Sequence, residues 1–193
     1  MRSLFRINRR GFTLIELLVT ILITGILAVM AMRFYTVTNQ QAQTQVEISE
    51  MQQVNRACLD ELCTALRSAG FGLAAGPAFK VNGDSLYIFA RRDSVATDTV
   101  LYFLDEFTDT EYAERIVGHV DGMKVYKLMK RLNSNPPEIF ADYITQLLYT
   151  QITPKLMAVT VEVQTAKVDK SFSVNDGFRT FINTERVVVR NVK

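Results

Sequence analysis

Apolar residues fall along this chain in three regimes. From Phe12 to Met32 (FTLIELLVTILITGILAVMAM) they are almost unbroken, and Glu16 is the single ionisable group among them. About 20 apolar residues in a helix, rising ~1.5 Å each, cross the hydrocarbon core of a bilayer. The segment therefore predicts a membrane-spanning helix; a helix in a cytosolic core would keep a polar face. From Ile48 the pattern becomes periodic: Ile48, Met51, Val54, Cys58, Leu62, Leu66 and Ala69 recur at helical spacing, while Glu50, Gln53, Asp60, Glu61, Thr64 and Arg67 fall elsewhere on the wheel. Between the two, Val37 to Thr44 is polar all round and reads as a solvent-exposed neck. No Pro precedes Pro77, and Gly25 is the only Gly between Phe12 and Ala69. One helix from about Phe12 to Ser68, ended by Gly70 and Gly72, is the simplest reading; it would extend roughly 85 Å.

The third regime is short β-prone runs. Ser85 to Ala90 and Thr99 to Leu104 are expected strands, with Met123 to Leu132 a less regular one. Val159, Val161 and Val163 alternate with Thr160, Glu162 and Gln164, the clearest two-residue period in the chain. Arg186 to Val192 closes the chain as a further strand. Pro136-Pro137 is expected to open a short helix carrying Phe140, Tyr143, Ile144, Leu147 and Leu148, which turns to strand before Thr153-Pro154. The expected fold is α+β: a long N-terminal helix, with a transmembrane half and an amphipathic half, packed on a mainly antiparallel sheet.

Charge sharpens the membrane reading. Over 193 residues Lys+Arg number 22 against Asp+Glu 20, yet Arg2, Arg6, Arg9 and Arg10 crowd into the start of the chain without an acid among them. A basic arm stays cytoplasmic, so the chain beyond Arg33 is expected outside. A secretory signal peptide would show small residues at a cut site after its apolar run, whereas Arg33, Phe34 and Tyr35 come directly after this one. Glu16 has two readings from the residues alone. It either reaches the headgroups one turn inside the helix, or it is a functional carboxylate awaiting a positive partner, because an ionised group at mid-bilayer costs about 2.5–3.5 kcal/mol.

Arg10-Gly11-Phe12-Thr13-Leu14-Ile15-Glu16-Leu17 resembles the class III leader and mature N-terminus of type IV pilins and type II secretion pseudopilins. The resemblance implies that a prepilin peptidase cuts between Gly11 and Phe12 and methylates the amine of Phe12. It also implies that Glu16 pairs with the N-terminal amine of a neighbouring subunit during assembly. The run Leu66-Arg67-Ser68-Ala69-Gly70-Phe71, the strand Val100-Leu101-Tyr102-Phe103-Leu104, the segment Lys127-Leu128-Met129-Lys130-Arg131 and the late Arg190-Asn191 resemble PilW-like minor pilins, and next GspJ-like minor pseudopilins. No Cys lies beyond Cys63 and no Pro interrupts the lower helix, which points away from a major pilin. Tip pseudopilins commonly lack the intramembrane Glu, so Glu16 argues against that position.

The expected organisation is a cleaved leader at 1–11, a transmembrane half-helix at 12–33, an amphipathic half-helix at 34–69 and a β-rich periplasmic or extracellular head at 70–193. The implied partners are prepilin peptidase, other minor and major pilins through the N-terminal helix, and inner-membrane lipid before assembly. The expected location is the inner membrane, with the N-terminus cytoplasmic, and then the pilus surface. Rival readings are a GspJ-like pseudopilin and a single-pass membrane-anchored binding protein.

Other residues offer less chemistry. Cys58 and Cys63, five apart on a helix, diverge by about 140° and read as buried structural thiols, not a disulfide. Gly70-Phe71-Gly72-Leu73-Ala74-Ala75-Gly76 shares only its glycines with a dinucleotide loop, since it follows a helix instead of preceding one. Asp105, Glu106, Asp109 and Glu111 do not match an EF-hand spacing and read as solvated loop acids. His119 stands alone, in a turn His119-Val120-Asp121-Gly122, with no nucleophile elbow and no zinc motif, so neither an enzyme nor a metal or other cofactor is expected. Arg91, Arg92, Lys124, Lys127, Lys130 and Arg131 read as solvated strand charges, not as a nucleic-acid surface.

Overall fold

The computed structural model describes residues 12–91, 96–116, 124–169, 172 and 174–191. The helix α1 spans Leu14–Ser68, so its start differs from the expected one by two residues, a difference that helix ends ordinarily show. The chain divides into two compact units, Met1–Thr44 and Gln45–Lys193. In the first, every described residue of α1 before Gln43 is exposed. The helix is apolar and long enough to cross a membrane, and none of its apolar window is buried in protein.

In the second unit α1 buries Met51, Asn55, Cys58, Leu59, Leu62, Cys63 and Leu66, a stripe at three- and four-residue spacing. The stripe forms one core with Leu86, Ile88, Tyr102, Leu128, Ile144, Leu147, Met157, Val159, Val161 and Val163. Cys58 and Cys63 are both free and buried; burial pushes Cys58 up to about 12 and Cys63 to about 11, so both stay protonated and chemically quiet. Asn55 is the polar exception in the stripe. Its Nδ2 donates to the Val161 carbonyl at 2.8 Å and the Phe181 carbonyl at 3.3 Å, tying the helix to two neighbouring strands.

The sheet is a seven-stranded antiparallel meander, each strand beside the next in sequence: β1 (Phe79–Asn82), β2 (Ser85–Ala90), β3 (Asp98–Glu106), β4 (Tyr126–Leu132), β5 (Glu138–Thr153), β6 (Leu156–Gln164) and β7 (Thr180–Val188). A short helix α2, Asp109–Arg115, links β3 to β4. The chain leaves α1 through Gly70, whose φ of 76° is open to glycine at little cost. A side chain there would press on Ala78 and on the Asn191 carbonyl. The Gly70 N–H donates to the Phe89 carbonyl at 2.7 Å, and Asn191 Nδ2 donates to the Ala69 carbonyl at 3.1 Å, so residues from β2 and from beyond β7 close the helix end.

Two expectations are corrected. The segment after Pro136-Pro137 is not a helix but the long strand β5. Ile144 pairs with Val163, yet Gln146 pairs with Glu162, so Thr145 is an extra residue in a β-bulge. The bulge flips the alternation and places Ile144 and Leu147, both buried, on one face at a three-residue interval. That interval imitated a helical period. Tyr143, at a φ of 61°, turns the strand just before the bulge; β5 pairs with β4 only as far as Ile144 and with β6 only from Ile144 onward. The last strand is β7, Thr180–Val188, six residues earlier than expected. The polar run Asn183-Thr184-Glu185-Arg186 inside it interrupts the apolar pattern that defines a strand by eye.

Candidate functional site

Thr13 is the cap of α1. The Leu17 N–H donates to the Thr13 carbonyl at 3.2 Å, the first bond of the helix. The Thr13 hydroxyl accepts from the Glu16 N–H at 3.3 Å, while Glu16 Oε2 accepts from the Thr13 N–H at 2.9 Å and from the Thr13 hydroxyl at 3.0 Å. This is a capping box: each residue satisfies a donor that the first helical turn leaves without a partner. Such donors are costly in lipid, where each unsatisfied backbone group costs several kcal/mol. The hydroxyls of Thr20 and Thr24 donate back to carbonyls of their own helix.

The threonines of the apolar stretch are therefore satisfied locally, and the charge of Glu16 is what remains. Oε2 carries both bonds to Thr13; Oε1 has no partner among the described residues. A carboxylate at a helix N-terminus is favoured by the helix dipole, and its open oxygen can accept from an ammonium. Exposed Phe12 precedes the cap directly, so Phe12, Thr13 and Glu16 lie within about one turn. Gly11 and the basic arm lie outside the described residues.

Residues 6–32, which contain this capped turn, match the family model of the prokaryotic N-terminal methylation motif. The chain carries a prepilin-type signal. No curated protein and no solved structure matches the chain. The signal supports a type IV pilin or pseudopilin-like protein, a structural subunit in place of an enzyme. It implies processing by prepilin peptidase and assembly with pilins in general. The apolar helix behind it is consistent with anchoring of such a prepilin in a membrane.

Among the described head residues of this prepilin-type chain, several of the acids and bases singled out in the sequence pair with opposite charges. Lys127 is buried and lies 3.2 Å from Asp105 and 3.0 Å from Glu111. Burial alone would pull its ammonium down, but the two carboxylates hold it above the usual lysine value. Lys124 pairs with Glu106 at 3.1 Å. Lys130 Nζ and the Tyr102 hydroxyl both donate to Glu61 Oε1 at 2.6 Å. Burial pushes the Glu61 carboxyl up, but these bonds outweigh it and hold the group below the usual range. Lys127 and Lys130 of β4 thus sit in ion pairs, while Arg131 of the same strand is exposed. Arg92, His119, Asp121 and Met123 lie outside the described residues.

Asp109 and Glu111 belong to the first turn of α2. Thr108 and Glu111 form a second capping box, with the Thr108 N–H donating to Glu111 at 2.9 Å. The bond from the Thr108 N–H, then the one from Lys127, lowers Glu111 to about 2. A carboxyl lowered on folding contributes stability that is complete above its ordinary value of 4.5 and is lost as pH falls through about 2. The head is therefore expected to lose stability progressively over that window, and Glu111→Gln to flatten the loss. Denaturant melts taken every half unit from pH 5 to 2 check this, and an unchanged slope in the variant would contradict it. Sequence reading missed α2 and both capping boxes. The signal was present as Thr13-Leu14-Ile15-Glu16 and Thr108-Asp109-Thr110-Glu111, two matches to the T-x-x-E pattern.

Proposed function

We propose that this chain is a minor type IV pilin of the PilW-like kind, a structural or assembly-priming subunit that is cut between Gly11 and Phe12 and methylated on Phe12. Its mature part comprises a transmembrane half-helix at 12–33, an amphipathic half-helix at 34–69 and a head at 70–193, with the leader 1–11 cytoplasmic and the head periplasmic before assembly. The observation that carries the reading is Glu16, capped by Thr13 one turn from Phe12 inside the prepilin-type signal. Removal of the leader creates an ammonium at Phe12, and methylation leaves it positive. Two such subunits side by side in lipid each hold a buried charge. The amine of one against the open Glu16 oxygen of the other removes both penalties at once, in a medium of low dielectric. The chain performs no chemistry itself; it moves from lipid to filament by helix packing and charge pairing.

The test is mass spectrometry of sheared filaments and of the membrane fraction from cells with an active prepilin peptidase. N-methylated Phe12 as the first residue of the filament peptide is the expected result. The same peptide confined to membranes would assign the chain to GspJ-like pseudopilins. An intact peptide running through Arg10-Gly11-Phe12 would overturn the reading in favour of a membrane-anchored binding protein.

A further inference from the structure

The meander leaves two strand edges facing each other across a slot. One wall is β1 with the residues before it, Pro77 to Val81; the other is Tyr149, Gln151, Pro154 and Met157, from the C-terminal arm of β5 and the start of β6. They enclose a cavity of about 410 Å³. The walls do not pair: β1 pairs only with β2, and this arm of β5 pairs only with β6.

The ladders decide what the walls offer. The Phe89 N–H donates to the Ala78 carbonyl at 2.9 Å, so alternate residues counted from Ala78 turn their backbone towards β2. Phe79 and Val81 lie between them and turn their N–H and C=O groups into the slot. On the other wall, the Val189 N–H donates to the Lys155 carbonyl at 2.8 Å, so the odd-numbered residues of β6 bond towards β7 and the even-numbered ones towards β5. Ala158 and Thr160 pair with Thr150 and Leu148. Tyr149 and Gln151 therefore turn their backbone away from β6, into the slot. In addition, the hydroxyl of Tyr149 is buried and has no hydrogen-bond partner among the described residues.

Two facing strand edges with outward donors and acceptors fit one kind of ligand, an extended polypeptide that bonds on both sides. Lys80 on one wall and Lys155, which follows Pro154, are exposed, and neither forms an ion pair among the described residues. We propose that this slot receives an extended, carboxylate-bearing segment of a different subunit that also carries a prepilin-type signal. The proposal rests on the assembly reading above, which holds such neighbours alongside the chain at high effective concentration. A second copy of this chain is a poorer donor, since each of its described strands is already in the ladder.

The test places the photo-crosslinker p-benzoylphenylalanine at Gln151 in cells assembling the filament, and maps the captured peptide by mass spectrometry. The expected capture is a contiguous segment containing Asp or Glu from another signal-bearing chain. Val81→Pro removes an N–H that faces the slot and no ladder bond, a change tolerated on an edge strand. It should cut capture about tenfold, the worth of one well-made hydrogen bond. Lys80→Glu, at an exposed position, should lower it as well, and decides the matter if Val81→Pro unfolds the head. Capture of a second copy, of chains without the signal, or an undiminished yield in a folded Val81→Pro and in Lys80→Glu would overturn the proposal. The same digests report the N-terminus: methylated Phe12 without capture sinks the slot alone, whereas an uncut leader sinks the assembly reading.

Discussion

Glu16→Ala is expected to leave the chain inserted and cleaved, yet to reduce its incorporation into filaments by at least about a hundredfold. Removing one member of a buried ion pair costs about 3–5 kcal/mol, because the other charge is left without a counterpart. At 1.4 kcal/mol for each factor of ten, that is two orders of magnitude or more in association. In the proposed reading the cut falls between Gly11 and Phe12, before the substituted residue, so cleavage is not expected to depend on this carboxylate. Thr13→Val separates the local role of Glu16 from the role in assembly. It removes the hydroxyl that bonds Oε2 at 3.0 Å and accepts from the Glu16 N–H, but it keeps the carboxylate and the Thr13 backbone donor position. A lost helix cap costs about 1 kcal/mol, so incorporation should fall by roughly tenfold or less. The methylated Phe12 peptide, quantified in sheared filaments against membranes, measures both variants. Equal incorporation of Glu16→Ala and the unaltered chain would remove the pairing role altogether.

The long helix and most strands could be read from the sequence because they depend on local pattern. An apolar stretch without a break, a stripe at helical spacing and the β2 run Ser85–Ala90 each announce themselves within ten to twenty residues. What stayed hidden depends on partners distant in sequence. Nothing near Glu61 says that it will meet Tyr102 and Lys130, since that meeting is created by the register of β3 and β4 against α1. The bulge at Thr145 misled for a different reason. One inserted residue converts a two-residue period into a three-residue one, and Phe140 to Leu148 then satisfies a helical template as well as a strand template.

The start of β7 was missed because an edge strand need bury only one side. Of its residues only Val187 is buried, while Ile182, Asn183, Thr184, Arg186 and Val188 are exposed. The hairpin of β1 and β2 carried a usable signal, the two-residue Gly83-Asp84 loop with Gly83 at positive φ, which sequence reading passed over. For the N-terminal signal, sequence reading proposed Gly11, Phe12 and Glu16, and the motif match spans residues 6–32. The structure added Thr13 as the residue that holds the Glu16 carboxylate.

Leu62→Ala is expected to destabilise the head by about 3 kcal/mol, within the 2–5 kcal/mol typical of removing a buried Leu side chain. Leu62 is completely buried at the centre of the helical stripe, between Cys58 and Leu59 on one side and Cys63 and Leu66 on the other, and it belongs to the main core. The cost combines lost burial with a cavity that α1 cannot collapse to fill. The helix is held at the Asn55 bonds to Val161 and Phe181 and at the Asn191 bond to Ala69, so its backbone cannot slide inward. Val46→Ala, on an exposed residue of the same helix, should change stability by less than about 0.5 kcal/mol. The chain has no Trp and 7 Tyr, so unfolding by urea in detergent micelles is followed by tyrosine fluorescence. A lowered midpoint with an unchanged slope assigns the effect to the folded core. Equal midpoints for the two variants would mean that the upper half of α1 does not supply the core of the head, and the closure of the helix end by Gly70 and Asn191 would then lose its purpose.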